Sequence, residues 1–308
     1  MTNLLFGKKF ENEFSWSKSR DAIFRECLRK YYFNYYGSWG GWRLDAPRKT
    51  RQLYILKKLI NRYMWIGGVV HSCIERSLKN LRHKIKPLPV EKIIKITLDM
   101  MRADFASSRR KLYHQNPKTC ALFEHEYDIE INDEDWKSIA WRVEKCLRNF
   151  YNSAVYQSLY DLPREYWLEI EELSSFMLDG IKVFVVLDCS YRTGGGFYIY
   201  DWKTGKNDEQ DANIQLSSYA LYAQQKWKAD FKDINVTAFN LGDNTLYDIK
   251  LSDDLVRWVR AYIAGSVSDM KKLLRSQEKN EAEEQDFART TNKRQCQTCN
   301  FKKVCINK

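Results

Sequence analysis

The pattern of apolar and polar positions divides the chain near Pro163. Before it, apolar residues recur at helical spacing. Ala22, Ile23, Cys27, Tyr31 and Phe33 predict a helix over about residues 19–36, with Ser17 and Ser19 as candidate caps and Gly37 as its stop. The same spacing predicts helices from Gln52 to about Leu81, over 91–113 and over 134–154. After Pro163 the runs are short and rich in β-branched and aromatic residues. "YWLEIEEL", "IKVFVVLDCSY" and "GFYIYDWK" read as strands broken by Asp-Gly and Gly-Gly-Gly. "DANIQLSSYALYAQQKW" reads as a helix, "INVTAFNL" and "TLYDIKL" as strands, and Asp253 to Ser276 as a helix. The stretch 276–295 is polar and charged and reads as a linker to a cysteine-rich tail. A helical half followed by a sheet with helices predicts an α+β or mixed α/β fold.

Alternation along a strand sets which side chains share a face. In "GFYIYDWK", Phe197, Ile199, Asp201 and Lys203 share one face, and Tyr198, Tyr200 and Trp202 the other. The preceding apolar run ends in Asp188, and the glycines let the two strands pair as a hairpin, which sets Asp188 beside Asp201. Two carboxylates held together need a proton or a cation between them. Oxygen ligands suit Mg²⁺ or Mn²⁺. From the hairpin alone, a strand-end Asp188 and a surface-type Asp201–Lys203 ion pair are the better reading.

Composition narrows the classes. The 308 residues are 44% hydrophobic and 14% aromatic, enough for a substantial core, and contain no apolar run long enough for a signal peptide or a membrane span. A soluble, cytoplasmic protein is expected. The net charge of +11 is spread along the chain, which favours an anionic partner such as nucleic acid at a basic face or cleft. Of the eight cysteines, Cys73, Cys120, Cys146 and Cys189 stand inside patterned segments and read as small core residues. Cys27, Cys296, Cys299 and Cys305 stand apart, and four thiolates suit either zinc or iron–sulfur.

The stretch "LDCSYRTGGGFYIYDWKTGK" resembles the PD-(D/E)XK nucleases, specifically the RecB-like branch, in which one Asp closes a strand and a second strand ends in Asp-x-Lys-Thr-Gly. "GGVVHSCIE" resembles the Gly-x-x-x-His motif of that branch, as Gly67 and His71, and "QLSSY" its Gln-x-x-x-Tyr motif, as Gln215 and Tyr219. One cysteine before the core and Cys296-x2-Cys299-x5-Cys305 after it resemble the AddB-type arrangement that holds a 4Fe–4S cluster. Val185 stands where the family often has Gly, and Leu187 replaces the proline of the "PD" pair. The helical stretch from about 84 to 160 matches no motif of the family.

The resemblance implies a restriction-endonuclease-like fold, a mixed central β-sheet flanked by helices. It implies a single nuclease domain over 1–308, with a helical part at about 1–160, a catalytic core at about 161–277, and a linker and cysteine tail at about 278–308. It implies that His71, Asp188, Asp201 and the Trp202 backbone carbonyl hold Mg²⁺ or Mn²⁺, with Asp188, Asp201 and Lys203 catalytic. Gln215 and Tyr219 then position DNA. The acid expected before Asp188 is Glu171, with Glu169 the other candidate. Cys27, Cys296, Cys299 and Cys305 hold the cluster, with Zn²⁺ the alternative, and staple the two ends of the domain. The expected activity is metal-dependent DNA hydrolysis at ends or single strands, exonucleolytic ahead of endonucleolytic, in recombination, repair or antiviral defence. The competing expectation is a catalytically silent DNA-binding subunit with a structural cluster. The chain carries no Walker A pattern, so any unwinding falls to a separate helicase or other subunit. No membrane partner is expected.

Overall fold

The computed structural model describes residues 11–205 and 209–306. Parts of the expected domain 1–308, namely residues 1–10, Lys206 to Asp208 and the last two, lie outside the described residues. The chain divides into two compact units. One comprises the described parts of Met1–Lys57, Asp179–Lys182 and Ile263–Lys308, and the other those of Lys58–Leu178 and Val183–Tyr262.

The helical half is α1 (Lys18–Glu26), α2 (Leu28–Tyr32), α3 (Arg48–Leu56), α4 (Arg62–Arg82), α5 (Val90–Arg109), α6 (Phe123–Glu126), α7 (Asp133–Tyr151) and α8 (Ala154–Tyr160). The sheet half is β1 (Glu172–Leu178), β2 (Ile181–Leu187), β3 (Cys189–Thr193), β4 (Gly196–Lys203), α9 (Glu209–Trp227), β5 (Ile234–Asn240), β6 (Thr245–Asp248) and α10 (Asp253–Lys271), followed by the short α11 (Lys293–Gln297) and α12 (Lys302–Cys305).

The expected helix over 19–36 is interrupted. Ser17 caps α1 by accepting from Arg20 N, but Cys27 takes an extended conformation (φ −164°, ψ 120°) and ends it. The chain resumes as α2 and then a π-turn, Phe33–Gly37. The run from Gln52 to Leu81 is two helices, with Asn61 capping α4 through its side chain. "YWLEIEEL" is not a strand: β1 begins only at Glu172. The stretch 276–295 is not a free linker either. Phe287 is fully buried, and Arg29 Nε donates to its carbonyl at 2.7 Å.

The four-stranded sheet runs β3-β4-β5-β6. β3 and β4 are antiparallel, joined by Gly194 and Gly195 at φ 57° and 86°. Both φ values belong to the left-handed region that a tight right-twisted hairpin requires, which is the reason for the glycine run. β4 and β5 are parallel, with α9 as the crossover, and β6 returns antiparallel. β1 and β2 form a separate two-stranded sheet. The core of the second unit packs α4, α5, α7 and α8 against β3, β4 and β5, and Trp202 lies inside it among Phe150, Tyr200 and Phe239. Among the described residues no helix is long and apolar enough to cross a membrane.

Candidate active site and thiol cavity

The strand alternation positions the charged pair as the sequence predicts. Tyr198, Tyr200 and Trp202 occupy the core face, where Tyr191 stacks on both tyrosines at 5.0 and 6.3 Å. Asp201 and Lys203 share the opposite face, with Lys203 Nζ 2.6 Å from Asp201 Oδ2. That oxygen is buried and accepts no well-aligned hydrogen bond, so the ammonium faces it as a counter-charge. In the β3–β4 register Cys189 pairs with Tyr200. One step further along each strand stand Asp188 and Asp201. The Trp202 N–H donates to Asp188 Oδ2, which ties the two strand ends together.

His71 reaches the same place from α4. Its Nδ1 lies 3.0 Å from Glu171 Oε1 and 3.4 Å from Asp188 Oδ1, and its Nε2 lies 2.9 Å from the Trp202 carbonyl oxygen. Gly67, one turn earlier, leaves open the space beside Thr204: a Cβ there would stand 3.4 Å from Thr204 Oγ1. Among the described residues, His71, Glu171 and Asp188 form the group of three potential metal-ligating side chains whose ligand atoms all lie within 4.8 Å. Asp201 stands outside that group. Its Oδ1 accepts from Gln215 Nε2 at 2.9 Å and from Tyr219 OH at 3.1 Å. Gln215 Oε1 in turn accepts from Lys203 Nζ at 2.7 Å. The Gln-x-x-x-Tyr pair of α9 therefore clamps Asp201 and Lys203, as i, i+4 spacing on one helix face allows.

Of the two candidate acids, Glu171 enters the site. Leu168 N–H donates to Ser190 O, Ser190 N–H to Glu169 O and Glu171 N–H to Leu187 O, which lays this segment against the strand flanking Asp188. Glu171 then turns into the left-handed region at φ 51°. Such a conformation costs a non-glycine residue about 1–3 kcal/mol and clusters at functional sites. Glu169 points elsewhere and accepts from Ser174 Oγ and from the Tyr222 hydroxyl. Backbone pairing across the fold, which residue order does not show, decides between the two glutamates.

The electrostatics follow from crowding of acids. Burial opposes a charge on the His71 ring, but Asp188 and then Glu171 outweigh it and push its pKa up to about 11. Asp188 is pushed up to about 7 by burial, with His71 opposing and Asp201 adding to the rise. Burial first, then Asp201 and Asp188, holds the Tyr219 hydroxyl well above its ordinary range. Without a metal, a protonated imidazole offsets Asp188 and Glu171, as the Lys203 ammonium offsets Asp201. The arrangement offers carboxylate and carbonyl oxygens with one imidazole around a common point, beside an ammonium held by two acceptors.

The other set of candidate ligands lies in the first unit. Cys27, Cys296, Cys299 and Cys305, all free thiols, line one cavity of about 130 Å³ together with Lys30, Phe33, Arg289 and Phe301. The extended break at Cys27 brings it there. Phe301 N–H donates to Cys299 Sγ at 3.4 Å. Burial pushes the Cys299 thiol up to about 11 and raises that of Cys305.

A family model described as the PD-(D/E)XK nuclease superfamily matches residues 15–306. No curated protein matches the chain.

Proposed function

The chain belongs to the PD-(D/E)XK nuclease superfamily, and we propose that it is a RecB-like member that hydrolyses DNA phosphodiesters with Mg²⁺ or Mn²⁺. Superfamily membership supports metal-dependent nuclease activity and DNA as the ligand. The observation that carries the residue assignment is the convergence of His71, Glu171 and Asp188 ligand atoms within 4.8 Å, with the Trp202 carbonyl oxygen 2.9 Å from the same imidazole.

His71, Asp188, Asp201 and the Trp202 carbonyl would hold the ion, with Glu171 as a further acid. A donor set dominated by oxygen fits Mg²⁺ or Mn²⁺. Bound there, the ion would lower the pKa of a water and polarise the scissile phosphate. Lys203 is held between Asp201 and Gln215, so its ammonium is aimed rather than free to swing. It would stabilise charge developing on the phosphate or orient the attacking water. Gln215 and Tyr219 would fix the Asp201 carboxylate and, through it, the placement of the strand.

The four thiols are proposed to hold a 4Fe–4S cluster. The four cysteines line one cavity, and four thiolates suit an iron–sulfur cluster, with one tetrahedral zinc the alternative. The cluster would tie Cys27 to the tail and so join the two ends of a single nuclease domain. The biological setting proposed is recombination, repair or defence against foreign DNA, in the cytoplasm and beside a separate helicase or other subunit.

The test is Mn²⁺-dependent cleavage of end-labelled single-stranded, double-stranded and circular DNA by the wild type and by Lys203→Ala. Loss of linear DNA, survival of circular DNA and no cleavage by Lys203→Ala, with DNA binding kept, are expected. Undiminished cleavage by the variant overturns the assignment. DNA binding without turnover in either metal points instead to a catalytically silent subunit.

A further inference from the structure

Three large apolar side chains close together in the chain stand in water. Trp39 and Trp42 are each 39% exposed, and Leu44 is 103% exposed. The two indoles meet edge to plane with centroids 5.0 Å apart, and Trp42 lies 6.1 Å from Tyr54 of α3. Grouped apolar exposure of this kind marks a binding surface, whereas isolated exposed apolar residues are ordinary.

The backbone is built to hold the rings out. Gly40 sits at φ +78°, and a Cβ on Gly41 would stand 2.4 Å from Tyr54 Cβ and 2.7 Å from the Thr50 carbonyl. Only glycine lets the loop approach α3 this closely. Arg51 Nη1 then donates to the Gly41 carbonyl at 3.1 Å, and Gly41 N–H donates to Ser38 O at 3.1 Å. The tryptophans are thus presented by a loop clamped to a helix, which lowers the entropy lost when a ligand docks on them.

Charge narrows the ligand. Residues 38–57 contain Arg43, Arg48, Lys49, Arg51 and Lys57 against a single acid, Asp45. Arg43 occupies that acid through two hydrogen bonds of 2.9 and 2.8 Å. Arg48 is exposed and makes no hydrogen bond or ion pair among the described residues. Lys57 Nζ lies 5.6 Å from the centre of the Tyr54 ring. Lys49 Nζ pairs with Glu284, so the five bases stand against two acids, and exposed aromatic rings set in a net basic segment fit a polyanion that also offers flat apolar faces. Single-stranded nucleic acid has both, whereas a duplex hides its base faces in the stack.

We propose that Trp39, Trp42, Tyr54 and Arg48 form a platform that binds single-stranded DNA by base stacking and phosphate contact, sharing no residue with the metal site. The choice of DNA rests on the nuclease reading, and the platform deepens that reading by naming the strand form held.

The experiment measures anisotropy of a labelled oligodeoxythymidylate and of a labelled duplex in EDTA, where no cleavage occurs. Wild type is set against Trp39→Leu, Trp42→Leu, the double variant, Arg48→Gln and Lys203→Ala, each checked for folding by circular dichroism. Loss of one stacking ring is expected to weaken single-strand binding about tenfold. Arg48→Gln is expected to reduce the slope of log K against log salt by about 0.7, one phosphate contact on a single strand. Duplex binding should change less in the tryptophan variants. Wild-type single-strand affinity in the double variant overturns the proposal, and so does an equal loss on both DNA forms. Binding of phosphatidylserine vesicles with no binding of the oligonucleotide also overturns it, and identifies the patch as a membrane contact. Cleavage by Lys203→Ala in the separate Mn²⁺ assay bears only on the nuclease reading, so the two failures are told apart.

Discussion

The Nε2 atom of His71 lies 2.9 Å from the carbonyl oxygen of Trp202. Its other nitrogen faces Glu171 and Asp188. Both ring nitrogens therefore face acceptors, and the metal-free ring keeps both protons. This is the geometric counterpart of a pKa pushed up to about 11 against the opposition of burial. A raised folded-state pKa stabilises the metal-free protein fully below the ordinary value of 6.5, and that contribution is lost as pH rises through about 11.

A divalent cation needs the neutral imidazole and ionised carboxylates. Binding should therefore release a proton from His71 and, below about pH 7, a further fraction from Asp188. Apparent Mn²⁺ affinity should rise with pH, by up to tenfold per unit where one proton is released. Calorimetric titrations in buffers of different ionisation heat count that proton. An affinity indifferent to pH, with none released, would remove His71 from the ligand set.

Tyr219→Phe deletes one of the two donors to Asp201 Oδ1 and leaves Gln215 in place. Partners that orient a ligand typically contribute about 10–100-fold to affinity or rate. We expect kcat to fall in that range, with KM and the circular dichroism spectrum little changed. A rate equal to wild type would mean that the hydroxyl does not position the carboxylate.

Adjacent glycines of α4 should respond in opposite directions. Gly68 is exposed, and a Cβ there would meet nothing within 4 Å. Gly68→Ala should stabilise the protein by about 1 kcal/mol, the difference in helix propensity. Gly67 faces Thr204 at 3.4 Å, so Gly67→Leu should destabilise by about 1–3 kcal/mol and lower cleavage as well. Thermal melts of the two variants beside a cleavage assay settle both signs.

Phe287 is fully buried and rests on Tyr32 and Tyr36 with centroids 5.3 and 6.0 Å apart. Phe287→Ala should cost about 3–5 kcal/mol and open the 276–295 segment to limited proteolysis. Unchanged protease resistance would show that this segment is held by its polar contacts alone.

Cys299→Ser should abolish iron content and the broad visible absorbance of anaerobically purified protein. Cys146→Ser, at a core position of α7 outside the thiol cavity, should leave both in place. Stoichiometric zinc in place of iron would exclude the cluster.

What was readable from residue order follows from how local each decision is. The alternation Phe197–Ile199–Asp201–Lys203 and the glycines before it are set within one hairpin and are legible. The strand paired with β4, however, is Cys189–Thr193 and not the expected apolar run before Asp188, which joins β1. The i, i+4 pair Gln215 and Tyr219 is legible too, although its grip on Asp201 needed the crossover from β4 through α9. Glu171 is expected ahead of Glu169, but what brings it to His71 is a left-handed turn and hydrogen bonds of its segment to Leu187 and Ser190, which residue order does not show. The break at Cys27 was hidden because the apolar spacing continues through it, and it is the extended conformation of one residue that stops the helix. The 276–295 stretch reads as a linker because its composition is polar, yet buried Phe287, Arg29 on the Phe287 carbonyl and on Glu284, and the Tyr36 hydroxyl on Asn280 anchor it.

Trp202 puts its indole in the core and its carbonyl beside His71. A substitution survey would record only the first of these. Every replacement at position 202 keeps the carbonyl, and most would damage packing, so the position would be scored as a folding residue. The oxygen becomes visible to chemistry only when the peptide bond itself is altered, for example by an ester in the backbone between residues 202 and 203, which weakens that acceptor without touching the side chain.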